Sequence, residues 1–78
     1  MKKRKDQINV NMGIRFRQLR EDSGYTSAYI FADDCGINEA YYGRLERGEY
    51  SPTLKMLSII AKQLGITISE LVKNIDIK

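Results

Sequence analysis

The 78 residues include no histidine and a single cysteine, Cys35. Serine–histidine and cysteine–histidine catalysis, imidazole metal ligation and an intrachain disulfide are therefore all excluded. No phosphate-cradling glycine loop and no paired-carboxylate setting takes their place, so the chain is not expected to be an enzyme or to hold a cofactor. Asp33 and Asp34 have no ligand cluster around them and read as a solvated helix face, not a metal site. What remains is the chemistry of hydrogen bonds and fixed charge. The net charge is +3, unevenly spread. Residues 1–20 hold seven basic groups against Asp6, a net +6, while the other 58 hold six basic and nine acidic groups, a net −3. Much of any general attraction to a polyanion therefore rests on Lys2, Lys3, Arg4 and Lys5. That run is either an arm that follows a DNA groove or a solvated terminus.

The elements that would position such groups can be read from apolar spacing and caps. One proline, six spaced glycines and no sustained alternation predict an all-α chain of short helices. Ile8, Met12, Phe16 and Leu19 form the stripe of a first helix, which starts between Asp6 and Asn11 and is stopped by Ser23-Gly24. Ser27 caps a second helix over 28–35, with Gly36 at its left-handed end. Asn38 caps a third over 39–47, ended by Gly48. Pro52 and Thr53 open a fourth, with Leu54, Leu57, Ile60, Ala61 and Leu64 on one face, closed by Gly65. Thr67 and Glu70 form a capping box for a short fifth helix. The expected core is Met12, Phe16, Leu19, Ile30, Phe31, Leu45, Leu54, Leu57, Ile60 and Leu64. The fold class is a compact five-helix bundle with a central helix–turn–helix at about 27–47. A basic arm at 1–8 precedes the domain at 9–72, and a tail at 73–78 follows it.

Two short helices joined by Gly36-Ile37-Asn38 have the grammar of a helix–turn–helix, but a hairpin used only for packing has the same grammar. The flanks separate these readings. Met12-Gly-Ile-Arg-Phe-Arg-Gln-Leu-Arg20, Gly24, Gly36-Ile37, Leu45-Glu-Arg-Gly48, Pro52-Thr-Leu54 and Leu64-Gly-Ile-Thr-Ile-Ser-Glu-Leu71 stand in the order and spacing of a known family. From about Met12 to Val72 the chain resembles the Cro and lambda-repressor type of helix–turn–helix regulators. It is similar to their small stand-alone members, such as restriction–modification controller proteins and phage repressors. The resemblance implies a transcriptional regulator that binds double-stranded DNA, usually as a dimer, with the third helix in the major groove.

In that fold type the N-terminal half of the third helix meets base edges, which selects Asn38, Glu39, Ala40, Gly43 and Arg44 as the outward set. Tyr42 and Leu45 point inward. Arg44 can give a guanine two hydrogen bonds; Glu39 can accept from a cytosine amine, and Ala40 can touch a thymine methyl. Positions matching the family's backbone clamp are Ser27, Ala28, Tyr41, Arg47 and the loop Glu49–Ser51, including Tyr50 and Ser51. Their role is to position the protein on phosphates. Ala28 stands where the family commonly has glutamine, and Tyr25-Thr26-Ser27 carries one more residue than the usual turn. The resemblance also implies that Arg20 and Glu46 form a structural ion pair. The five tyrosines read as core edges and phosphate donors, not as stacking platforms for single strands.

A module this small contacts few bases, so a homodimer reading a palindrome with half-sites about 34 Å apart is expected. Apolar residues beyond the core, Ile66, Ile68, Leu71, Ile75 and Ile77, are the candidate interface. Lacking an apolar signal-peptide segment or a membrane-length apolar run, and with one cysteine, the chain is expected in the cytoplasm. Double-stranded DNA and a second copy are the expected partners, with no membrane and no metal. The alternative is an antitoxin-like or co-regulator module that keeps the fold and binds a protein, favoured by the net −3 of residues 21–78 and by Glu39.

Overall fold

In the computed structural model, which describes residues 6–75, every helix begins at a side-chain cap. Asp6 accepts from the amides of Ile8 and Asn9 and opens α1, Gln7–Asp22. Ser27 accepts from Ile30 and opens α2, Ala28–Cys35; Asn38 accepts from Tyr41 and opens α3, Glu39–Glu46. Thr53 caps α4, Leu54–Leu64, and the Thr67–Glu70 capping box starts α5, Ile68–Leu71. These side chains satisfy amides that a helix start leaves without intrahelical partners. All described regular elements are helical, as the sequence predicts. The third helix ends one residue early because Arg47 serves as its C-cap.

The core is built from Met12 and Phe16 of α1, Phe31 and Ala32 of α2, Ile37 of the turn, and Tyr42 and Leu45 of α3. Ile60 and Ala61 of α4 and Leu71 of α5 complete it. Phe31 packs edge-on against Tyr25 at 4.9 Å and tilted against Tyr42 at 5.3 Å between ring centroids. Two expected core members lie outside. Ile30 is 55% exposed and Leu54 is 71% exposed. Both sit in the first turn of a helix whose buried face is set further along the chain, so a period-matched aliphatic at that end overhangs solvent. Leu19, Leu57 and Leu64 are half-buried against the core.

Helix α3 is docked tightly. A Cβ at Gly13 of α1 would stand 2.3 Å from the Glu46 carbonyl oxygen and 2.6 Å from that of Leu45, so only glycine lets the two backbones meet. At the other end of the hairpin, Gly36 adopts φ +72, the left-handed conformation that turns the chain from α2 into α3. Arg15 ties α1 to the far end of the bundle. Its Nε and Nη2 donate to the carbonyls of Leu71 (3.2 Å) and Glu70 (2.8 Å), which close α5.

Tyr25 joins the α1–α2 loop to two helices. Its hydroxyl donates to Asp34 at 2.7 Å and accepts from Gln63 Nε2 at 2.8 Å. Beyond α5, the chain continues through hydrogen-bonded turns to Ile75, which packs against the core. None of the described helices is long and apolar enough to cross a membrane. The Lys2–Lys5 run and Ile77 lie outside the described residues.

Candidate nucleic-acid interface

The face of α3 that looks away from the core carries the expected side chains. Asn38, Glu39, Ala40 and Arg44 are exposed and Gly43 is half-exposed, while Tyr42 and Leu45 are fully buried beneath them. This split follows from the helical period, because positions 42 and 45 share one side of the helix and positions 39, 40 and 44 lie away from it. Asn38 also has a local duty. Its Oδ1 accepts from the Tyr41 amide at 3.0 Å, which engages that oxygen in the cap and leaves the side-chain amide nitrogen as the outward donor.

Arg44 is not a loose side chain. Its Nη1 donates to the Tyr50 hydroxyl at 3.0 Å, and its Cζ lies 5.8 Å from the centroid of the Tyr50 ring. That ring stacks on Tyr41, 5.6 Å away and inclined by 27°. The α3–α4 loop that supplies Tyr50 is tethered to α1, where Ser51 Oγ donates to Asn9 Oδ1 at 2.8 Å, and within the loop exposed Arg47 pairs with Glu49 at 2.8 Å. With its proton given to Asn9, the Ser51 hydroxyl is not free in this arrangement to donate to a phosphate. Ser27 is different, since its oxygen accepts from Ile30 at 3.2 Å and its own proton remains available. Half-buried Ser27 and Ala28 stand at the start of α2, where unpaired amides and the helix dipole favour an anion.

Beneath this face, Arg20 of α1 grips Glu46 at the end of α3. Nε donates to Oε2 at 2.7 Å and Nη2 to Oε1 at 3.2 Å, while Nη1 donates to the Tyr25 carbonyl at 2.7 Å. The two side chains are only 5% and 10% exposed. Bonding to Glu46 raises the Arg20 pKa against the opposing effect of burial, so the guanidinium is charged throughout. Tyr42 lies alongside. Its hydroxyl is buried with no partner in full hydrogen-bond geometry, although the Glu46 carboxylate, already bonded to Arg20, lies beside it as a potential acceptor. Burial and the neighbouring carboxylate push its phenol well above the ordinary tyrosine range. Helical period places Tyr42 inward, but nothing in the sequence signals this stranded hydroxyl, which depends on the Arg20–Glu46 geometry.

The candidate interface between copies needs one correction. Leu71 is 0% exposed and belongs to this chain's own core, because Arg15 and the α4–α5 junction draw α5 inward. Ile66, Ile68 and Ile75 are half-buried and keep part of their surface open. The geometry therefore brings Arg44, Tyr50, Tyr41 and Arg47 together on one side of α3 and its following loop, and leaves the candidate interface residues on α5 and its flanks.

A family model described as Helix-turn-helix (HTH_3) matches residues 16–71. The control protein C.MunI of a Mycoplasma species is 32% identical over 69 residues, covering 88% of this chain and 93% of its own. An uncharacterized HTH-type transcriptional regulator, y4dJ of Sinorhizobium fredii, is 35% identical over 65 residues, covering 83% of each chain. Among solved structures, the restriction–modification controller protein C.AhdI of Aeromonas hydrophila superposes with a TM-score of 0.75 at 33% identity. It covers 81% of this chain and 94% of its own.

Proposed function

Because the chain belongs to the helix-turn-helix family of DNA-binding transcriptional regulators, and not to a family of enzymes, we propose that it reads a palindromic operator as a homodimer. Helix α3 would occupy the major groove, with the protein acting in the cytoplasm where that DNA is held. The observation that carries this reading is the outward face of α3. Asn38, Glu39, Ala40 and Arg44 form an exposed edge, polar apart from the Ala40 methyl, on a helix whose other side is locked by Tyr42, Leu45, Gly13 and the Arg20–Glu46 pair. A rigid helix with free donors on one edge suits direct readout, where a base must find its partners already in place.

Within this reading Arg44 gives a guanine two parallel hydrogen bonds, worth about 1–3 kcal/mol of discrimination. Asn38, Glu39, Ala40 and Gly43 contact neighbouring base edges. Ser27, the Ala28 amide, Tyr41 and Arg47 hold the phosphates on either side, which fixes register without reading sequence. Ser51 serves by anchoring its loop to α1. Two copies pair through Ile66, Ile68 and Ile75 and place their α3 helices one turn of DNA apart, about 34 Å.

A fluorescence-anisotropy titration against a selected operator duplex at several salt concentrations tests this. Affinity is expected to fall steeply with salt, and Arg47→Ala to flatten the log–log slope by about one for each phosphate it no longer neutralises. A salt-independent or undetectable interaction would favour the protein-binding alternative.

A further inference from the structure

We propose that Tyr50 sets base specificity by positioning Arg44, and does not act chiefly as a phosphate contact. This rests on the DNA-reading assignment above. An arginine projecting from an exposed helix has many rotamers, and fixing one on binding costs entropy. Here that freedom is already curtailed. Arg44 and Tyr41, three residues apart on the same side of α3, leave a notch into which the Tyr50 ring fits. The ring lies against Tyr41 on one side, and its hydroxyl accepts from Arg44 Nη1 at 3.0 Å. The guanidinium also lies within cation–π range of the ring, at 5.8 Å from the centroid.

The bond is selective in what it leaves open. A guanidinium has five N–H groups, and one of them goes to Tyr50. The Nε–Nη2 edge, two parallel donors in the fork that matches guanine O6 and N7, stays available. Tyr50 thus chooses which edge of Arg44 faces the groove. The loop is fit for that task because the Glu49 amide donates to the Arg44 carbonyl at 2.9 Å and Ser51 Oγ to Asn9, which fix its backbone on both sides of Tyr50. Accepting from Arg44 leaves the Tyr50 proton available to a phosphate, so the two roles are told apart by which duplexes lose affinity and not by the hydroxyl's bonding alone.

The test uses the full chain, with the duplex that it recovers from a random-sequence library and a set of duplexes carrying each base-pair change. Affinities are measured for wild type, Tyr50→Phe, Tyr50→Leu, Arg44→Ala and the Tyr50→Phe/Arg44→Ala double variant. Tyr50→Phe is expected to lower discrimination roughly three- to tenfold, the scale of one net hydrogen bond. The loss should fall at the same base pair that Arg44→Ala relaxes, and should vanish when Arg44 is already absent. Tyr50→Leu, which also removes the stack on Tyr41, should lose more. A uniform loss over all duplexes, equal with and without Arg44, would make Tyr50 a phosphate contact and overturn the proposal. So would an unchanged discrimination profile. If wild type itself selects no sequence, the DNA-reading assignment falls first; selective wild type with an unaltered Tyr50→Phe profile sinks the Tyr50 role alone.

Discussion

Arg20 and Glu46 meet through two nearly parallel hydrogen bonds, at 2.7 and 3.2 Å, across 26 residues of sequence, and so join the C-terminal part of α1 to the last turn of α3. A buried, bidentate pair of this kind is costly to break, because the surviving charge is left without compensation. Arg20→Ala is expected to destabilise the domain by roughly 3–5 kcal/mol in thermal or urea unfolding. Arg20→Lys keeps the charge but loses the fork and should recover only part of that. A melt of Arg20→Ala that matched wild type while DNA binding vanished would move Arg20 from the frame to the reading surface.

Tyr42→Phe should leave stability within about 1 kcal/mol of wild type, since the hydroxyl it removes is buried without a partner in full hydrogen-bond geometry and has only the Glu46 carboxylate beside it. The same substitution has a pH signature. The folded-state phenol is raised, so its stabilising effect is complete below the ordinary tyrosine value, about 10, and is lost as pH climbs above it. Cys35 acts in the same direction, because burial lifts its thiol from 9.0 to about 11. Wild type should therefore lose stability between about pH 9 and 11, and Tyr42→Phe should lose less toward the upper end. Urea midpoints across that range check both points.

Two glycines should respond oppositely to alanine. Gly13→Ala pushes a methyl into the carbonyls of Glu46 and Leu45 and should cost at least about 1–3 kcal/mol. At Gly43 the new methyl would meet only the Arg47 guanidinium, Nη1 at 3.2 Å and Cζ at 4.0 Å, the end of an exposed side chain that can swing aside. Gly43→Ala should then stabilise α3 by about 0.5–1 kcal/mol. Its position on the outward face predicts weaker operator binding despite the higher melting temperature, and a joint melt and titration would show both changes.

Leu71 and Ile68 separate folding from assembly. Leu71→Asp places a charge in the core and should unfold the chain. Ile68→Lys, at a half-buried position, should keep helical circular dichroism while shifting the sedimenting mass toward that of one 9.0 kDa chain. An Ile68→Lys dimer as strong as wild type would place the contact between copies elsewhere.

The caps are the most legible feature of the chain: Ser27, Asn38, Thr53 and Thr67 announce their helices, because capping is local chemistry between a side chain and amides two or three residues on. The inward turn of Tyr42 and Leu45 is equally readable from period. Burial at helix ends is not. Ile30 and Leu54 fit the apolar stripe yet face solvent, and Leu71 reads as a surface aliphatic yet lies in the core. Those outcomes depend on how helices cross, which the spacing within one helix does not encode. The Arg44–Tyr50–Tyr41 cluster is hidden for the same reason, since a loop residue and a helix residue meet only once contacts such as Ser51–Asn9 with α1 have fixed where the loop runs.

The central claim, that the exposed edge of α3 reads base sequence through Arg44, is tested most directly by selecting duplexes from a random library with wild type and with Arg44→Ala, at two salt concentrations. The account predicts a palindrome with half-sites about one helical turn apart, relaxed at one position per half-site by Arg44→Ala. Recovery of no motif, or of one that Arg44→Ala leaves unchanged at every position, would contradict it.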